Sequence, residues 1–284
     1  SKNGCNRVGR LKSAEKYKTM RFAIVVEYDG TEFHGSQLQQ NARTVQGDLE
    51  GALSNVFSKN IRVHFASRTD SGVHSRGQVG CFDIQTDLIP DQVRKALNHH
   101  MSKDVRIRCI QFVPDGSQGF DPRGDAQSRT YVYTFNDALS EPVLERHFVT
   151  HVRKHLDAVA MNEASQFLIG EHDFTAFAGF GMLESTPTCR IVEHASVIRD
   201  GANVEFTITA NSFFRQQIRR IAGVLYDVGV GKHAAESVYD LLIASERGIA
   251  SYVMPARGLS LEKISFVGSG ECGLPTRSSD TSVN

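Results

Sequence analysis

The sequence of 284 residues predicts an α+β protein with a mixed, mainly antiparallel sheet. Three observations favour this class. Segments with the alternation or β-branched content of strands are interspersed with segments of helical spacing, and long gaps separate most strands. The strand-like runs within 190–210 meet at Asp200-Gly201, which is a strong hairpin signal. Both halves of the chain share a strand–helix–strand rhythm, although no repeat of fixed period is present.

The first half begins with a predicted buried strand at 21–30 that stops at an Asp-Gly turn. Apolar residues at helical spacing predict a helix at 44–57, and an initial proline before an apolar face predicts another at 90–101. Four further strands are predicted at 61–67, 78–84, 105–113 and 129–135. The stretch ASRTDSGVHSRG, residues 66–77, is therefore placed largely in a loop between two strands.

The second half continues the alternation. Helices are predicted at 156–170, which Gly170 closes, at 212–229 and at 234–245, and a final strand is predicted at 259–267. Phe214, Ile218, Ile221 and Leu225 form the apolar face of the middle helix.

Both ends of the chain are expected to be disordered. Residues 1–20 form a basic leader, which would suit an organellar presequence or an RNA-contacting arm, and residues 268–284 form a polar tail.

Composition excludes several classes of protein. The 32 basic and 32 acidic residues cancel, so any nucleic-acid surface must be local. The number of cysteines is odd and no C-x-x-C occurs, which predicts reduced thiols in an intracellular protein and argues against a disulfide framework or a zinc site. No apolar run is long enough for a membrane span. No metal, phosphate-loop or dinucleotide motif is present, so no cofactor is expected.

Asp70 is the first candidate for chemistry. Arg68 lies two residues before it, and Gly72 permits a tight turn directly after it. The pattern alone leaves two interpretations open. Asp70 is either a turn residue that caps its own backbone or a loop carboxylate that guanidinium groups keep ionised.

Basic and aromatic residues of the second half are further candidates. On the predicted helix, Arg215 and Arg219 are one turn apart, and Arg220 follows them. A partly buried Arg219 needs an anionic partner, whereas a solvated basic flank is the alternative. Tyr131 and Tyr133 share one face of their strand, which is either core or the floor of a cleft on which a base stacks.

Six blocks in this order resemble the TruA-type tRNA pseudouridine synthase family over residues 21 to about 267. They are EYDGTEFHGSQLQQNARTVQGDLEGAL, SRTDSGVHSRGQV, RTYVYTF, HDFTAFA, NSFFRQQIRRIAGVLYDVG and MPARGLSLEKISF. The second block is similar to the catalytic loop, normally written G-R-T-D-A-G-V-H-A. The chain departs from the usual pattern at four residues, namely Ser36 for Trp, Ser67 for Gly, Ser71 for Ala and Met254 for Ala.

The resemblance implies two pseudo-symmetric halves, 21–135 with the Asp70 loop and 136–267 with the Arg219 helix, and a cleft between them. It implies a homodimer that isomerises uridine to pseudouridine in tRNA, in the anticodon stem-loop, inside the cell in the cytoplasm or in mitochondria. Asp70 would be the nucleophile, with attack at C1′ or C6 left open, Arg219 its ion-pair partner and Arg68 a support. Tyr131 would stack on the uracil. Candidate contacts to RNA phosphates are Arg76, Arg123, Arg129, Arg215 and Arg220.

Two other functions compete. A tRNA-binding or RNA-folding protein without turnover could use the same cleft, although it would not need Asp70, Arg219 and Tyr131 together. A carboxylate-based glycoside hydrolase would need a second acid, and the catalytic loop offers none, because Asp83 and Asp87 lie in or beyond the next strand.

Overall fold

The predicted α+β class is confirmed. A computed structural model describes residues 19–114, 119–179, 185–244, 246–250, 252–270 and 272–275, which contain one mixed, mainly antiparallel sheet flanked by helices. The predicted basic leader falls almost wholly outside these residues.

The predicted strands and helices are present with shifted ends. The strands are β1 Thr19–Tyr28, β2 His64–Phe65, β3 His74–Gln85, β4 Val105–Val113, β5 Ala126–Asn136, β6 Thr150–His151, β7 Gly170–Asp173, β8 Cys189–Asp200, β9 Asn203–Ala210 and β10 Leu259–Phe266. The helices are α1 Val45–Phe57, α2 Pro90–His100, α3 Ala158–Gln166, α4 Gln217–Gly229 and α5 Ser237–Ala244. Two short 3-10 turns lie at Thr175–Phe177 and Ala256–Gly258.

A single sheet joins the two halves of the chain. Its strand order is β4-β1-β3-β10-β5-β9-β8-β7, with β2 paired to β3 and β6 paired to β5. The last strand, β10, inserts in the middle, parallel to β3 and antiparallel to β5. The loop that follows β2 and the helix α4 thereby lie on opposite sides of the central strand β10.

The helices cover one face of this sheet. Val26 of β1 belongs to the core beneath α1 and α2, while Tyr131 belongs to the core beneath α4. The residues that alternate with them, Glu27 and Val132, line a cavity of about 610 Å³ on the opposite face. The two helical layers therefore stand side by side on one face of the sheet.

The helix α4 begins later than its apolar pattern predicted. It starts at Gln217 rather than at residue 212, because Gln216 adopts a left-handed conformation with φ of 63°. Phe214 and Arg215 precede the helix, so the predicted stacking of Arg215 and Arg219 on successive helical turns is wrong.

The prediction of reduced thiols is wrong for one pair of cysteines. Cys109 of β4 is bonded to Cys272, whereas Cys81 and Cys189 are free. Leu274 is fully buried, and the carbonyl of Pro275 accepts a hydrogen bond from Gln111. The expected disorder of the tail therefore does not hold for residues 272–275. Wide spacing in sequence hid this pair, since only the fold brings β4 and the tail together.

Candidate active site

The carboxylate of Asp70 lies in the turn between β2 and β3. The turn is closed through the backbone, where the N–H of Val73 donates to the carbonyl of Asp70 at 3.2 Å. Gly72 has a φ of +79°, which favours glycine at this position. Within the described part of the chain, the hydrogen-bond and ion-pair partners of the Asp70 side chain are arginines and not its own backbone. The self-capping interpretation is thereby excluded.

Residues at the end of β1 and in the loop after it contact the Asp70 turn. The hydroxyl of Ser36 accepts a hydrogen bond from the backbone N–H of Thr69 at 2.9 Å, and the hydroxyl of Tyr28 bonds that of Thr69 at 2.8 Å. Gly30 allows the two loops to touch, because a Cβ there would lie 2.0 Å from the carbonyl oxygen of Val73. These contacts fix the residue beside Asp70 before any substrate arrives.

Two arginines from the other half face the Asp70 carboxylate. Nη1 of Arg219 lies 3.4 Å from Oδ2, and Nε of Arg215 lies 3.9 Å from Oδ1. The Arg219 side chain is only 15% exposed, and its Nε donates to the carbonyl of Met254 at 2.6 Å. The backbone N–H of Met254 in turn donates to the carbonyl of Arg219. The guanidinium is thus oriented by the protein and not by Asp70 alone.

Arg68 does not supply the second cation predicted for this carboxylate. Its side chain is exposed and lines a separate cavity beside the loop. Arg215, predicted as a phosphate contact, stands against Asp70 instead, although its side chain is 81% exposed. Residues 68 and 70 are close in sequence, but the loop directs their side chains to different surroundings.

Tyr131 is buried on β5 beneath the Asp70 loop. Its hydroxyl is 3.0 Å from the hydroxyl of Ser67, and its ring makes an edge-to-face contact with Phe213 at 5.4 Å. Burial raises the pKa of Tyr131 to about 12, so the hydroxyl is protonated at neutral pH. The sequence did not single out Phe213, and Ser67 stood out only as a departure from the family pattern.

We expect Ser67→Ala to lower kcat about fivefold with little change in KM, because one hydrogen bond to the Tyr131 hydroxyl contributes ~1 kcal/mol. The ring itself stays in place against Phe213. Steady-state turnover in the Tyr131→Phe background provides the control. There Ser67→Ala should have no further effect, and an equal loss in both backgrounds would show that the hydrogen bond is not the cause.

The other predicted phosphate contacts are placed very differently from one another. Arg129 is buried, and its guanidinium donates to the carbonyls of Ala126, Asn211, Ala66 and Arg123, so its prediction as a phosphate contact is wrong. This side chain instead ties the catalytic loop to β5 and to the strand end before α4.

The remaining three arginines are divided between the two faces of the sheet. Arg76 lines the cavity on the face away from α4, 3.7 Å from Glu262, so the fold does not bring it to Asp70. Arg220 is half-buried beside Arg219, and burial lowers its pKa. Arg123 is exposed and shares a cavity with Arg68.

His74 anchors the far end of the catalytic loop. Nδ1 accepts a hydrogen bond from the backbone N–H of Gly30 at 3.0 Å, and Nε2 lies 2.8 Å from the carbonyl of His147. Burial lowers the pKa of His74. Nδ1 also lies 3.2 Å from Oδ1 of Asp29, so His74 ties this end of the loop to the segment after β1.

No group of three or more His, Cys, Asp or Glu side chains in the described residues is arranged to hold a metal ion. None of the helices in those residues is both long and apolar enough to cross a membrane.

Known proteins resemble this chain over most of its length. A family model described as tRNA pseudouridine synthase matches residues 24–120 and 164–267. A tRNA pseudouridine synthase A of Maricaulis maris is 38% identical over 248 residues, which cover 87% of this chain and 98% of that protein. The proteins of the same name from Halalkalibacterium halodurans and Legionella pneumophila are 37% and 38% identical, over 84% and 87% of this chain and 90% and 93% of their own lengths. Both matched stretches of the family model include a candidate residue, Asp70 in the first and Arg219 in the second.

Proposed function

The chain belongs to the tRNA pseudouridine synthase family, and we propose that it isomerises a uridine of the tRNA anticodon stem-loop with Asp70 as the nucleophile. The observation that carries this proposal is a loop carboxylate, 24% exposed, that meets a protein-oriented guanidinium at 3.4 Å in a cleft. A tRNA substrate implies that the protein works inside the cell.

The reaction moves the uracil without oxidation or hydrolysis. The bond from N1 of the base to C1′ of the ribose breaks, a bond from C5 to C1′ forms, the C5 proton leaves and N1 gains a proton. Asp70 adds covalently to C1′ or to C6 and is released again when the new carbon–carbon bond is made. The atoms and electrons balance without a metal or redox cofactor.

Arg219 holds the carboxylate of Asp70 in position through an ion pair. A charge-assisted pair in a partly dry site is stronger than a neutral hydrogen bond, and the bond from Nε to the Met254 carbonyl fixes the fork of the guanidinium. Arg215 adds a second, largely exposed positive charge beside Oδ1.

Tyr131 provides an aromatic surface for the target base. A base–aromatic contact contributes roughly 1–3 kcal/mol and offsets the cost of unstacking the uridine from its loop. The protonated hydroxyl, held by Ser67, can hydrogen-bond a uracil carbonyl near C5. Removal of the C5 proton by the ionised tyrosine is disfavoured by the raised pKa.

Release of tritium from tRNA that carries 5-³H-uridine tests the proposal, since each isomerisation frees one C5 hydrogen. Purified protein should release label in proportion to pseudouridine formed. Tight tRNA binding without release would favour the tRNA-binding or RNA-folding alternative. The glycoside hydrolase alternative predicts neither outcome. Asp83, one of the two acids that follow the Asp70 loop in sequence, lies near the other end of β3 and forms an ion pair with Arg21 at 2.8 Å.

We further propose that the protein is a homodimer. The segment after β5 exposes three large apolar side chains, Leu139, Val143 and Leu144, the first of them completely. Such a patch suits contact with a second copy. Light scattering after gel filtration should give twice the 31.4 kDa chain mass, and Leu139→Asp with Leu144→Asp should give monomers. A monomeric wild type at micromolar concentration would refute the dimer.

A further inference from the structure

A second cavity lies on the side of the catalytic loop away from the α4 half. Its volume is about 520 Å³, and it is lined by three arginines, Arg62 near β2, Arg68 in the loop and Arg123 before β5. We call this the arginine cavity. It has no part in holding the Asp70–Arg219 pair.

The arginine cavity carries excess positive charge. Arg62 lies 3.3 Å from Glu50, whereas Arg68 and Arg123 have no ion pair with any residue that the structure describes. Asp121 is the acidic member of the lining, and one of its carboxylate oxygens is engaged by the backbone N–H of Arg123. Three guanidinium groups around an open space, offset by one lining carboxylate, suit a polyanion.

The arginine cavity is also tied to the reaction centre. Ser67 and Ser36 form part of its wall. Ser67 bonds the hydroxyl of Tyr131, and Ser36 bonds the backbone N–H of Thr69, the residue before Asp70. A ligand in the cavity is therefore separated from the Asp70 carboxylate only by the loop that carries Asp70.

We propose that the arginine cavity binds backbone phosphates of the RNA strand next to the target uridine. The inference rests on the proposed function, because it takes the substrate at Asp70 to be a nucleotide within RNA. A strand that delivers one base to Asp70 must carry its neighbouring phosphates past the rim of the loop. Arginine is the side chain best suited to hold them, since its planar fork contacts two phosphate oxygens at once. The phosphates anchored there would hold the strand while the uridine rotates into the cleft.

The test is a salt titration of binding to an anticodon-arm RNA. The double variant Arg62→Gln, Arg123→Gln should weaken binding roughly tenfold and lower the slope of log Kd against log salt by about 1.4, at about 0.7 for each lost single-strand contact. The loss should appear in the Kd for RNA, which this titration measures directly. Arg76→Gln is the matched control, since Arg76 is 76% exposed on the opposite face, and it should bind with the wild-type slope.

Two outcomes would count against the proposal. A wild-type slope in the double variant would overturn the proposal, and so would an equal loss in Arg76→Gln, which would indicate unspecific attraction. If the double variant unfolds, Arg123→Gln alone should lower the slope by about 0.7, because that exposed side chain has no ion pair in the described residues. Failure of wild-type protein to release tritium would refute the proposed function separately, since these titrations measure binding alone.

Discussion

The Asp70→Asn variant is expected to bind tRNA as tightly as the wild type and to isomerise it at least about 10⁴-fold more slowly. The amide has the shape of the carboxylate but cannot add to C1′ or C6 and leave again. Single-turnover release of tritium from tRNA labelled at C5, with enzyme in excess, measures the loss without interference from product release. A stable fold is expected, because the turn at Asp70 is closed by the backbone and not by its side chain.

The control for this variant is the carboxylate Asp83, which lies near the other end of β3 and pairs with Arg21 on β1 at 2.8 Å. Asp83→Asn should leave the single-turnover rate within about twofold of wild type, since a partly exposed ion pair contributes under ~1 kcal/mol. If Asp70→Asn retained more than a hundredth of the wild-type rate, Asp70 could not be the nucleophile.

The Arg219→Lys variant is expected to lose about 10²–10³-fold in kcat with a small change in KM. The ammonium keeps the charge but cannot donate at once to the Met254 carbonyl and to Asp70, as the guanidinium does at 2.6 and 3.4 Å. The variant should also unfold at lower temperature, since the Met254 carbonyl loses its donor. That loss corresponds to roughly 1–2 kcal/mol.

Arg199→Lys separates a kinetic role from a structural one. Arg199 forms a closer pair with Asp137, at 2.8 Å, on strand β8 far from the cleft. Both lysine variants should lower the thermal midpoint, but only Arg219→Lys should lower kcat. Arg215→Gln should lower kcat less than tenfold, because the Arg215 side chain is largely exposed and its Nε lies 3.9 Å from the Asp70 carboxylate. Equal kinetic losses at positions 199 and 219 would contradict the assignment.

Local patterns predicted the parts of this molecule that depend on neighbours in sequence. Strict alternation placed β4 at Val105–Val113, and the Asp200-Gly201 signal placed the hairpin of β8 and β9. The loop position of Asp70 also followed, because strand patterns lie on both sides of it. Its closeness to Arg219, 149 residues away, came from resemblance and not from any local pattern.

The predictions that failed concern features of the fold that local sequence patterns do not show. The sequence predicts Arg129 as a cation free to contact RNA phosphates. In the structure its guanidinium donates to four backbone carbonyls. Arg68 was predicted to support Asp70 because it is near in sequence. In the structure its side chain lines the arginine cavity, and Arg215 lies beside the Asp70 carboxylate instead. Gln216 interrupts an apolar period that continues without a break in the sequence, so the pattern could not give the start of α4.

The most direct test of the central claim is a pseudouridine map, at single-nucleotide resolution, of an unmodified anticodon-arm transcript. The transcript is incubated with wild-type protein, Asp70→Asn or Asp83→Asn. We expect pseudouridine at one or a few loop or adjacent stem positions with the wild type and Asp83→Asn, and none with Asp70→Asn. The same positions modified by all three proteins would remove Asp70 from the mechanism, and no modification by any of them, with RNA still bound, would contradict the proposed reaction.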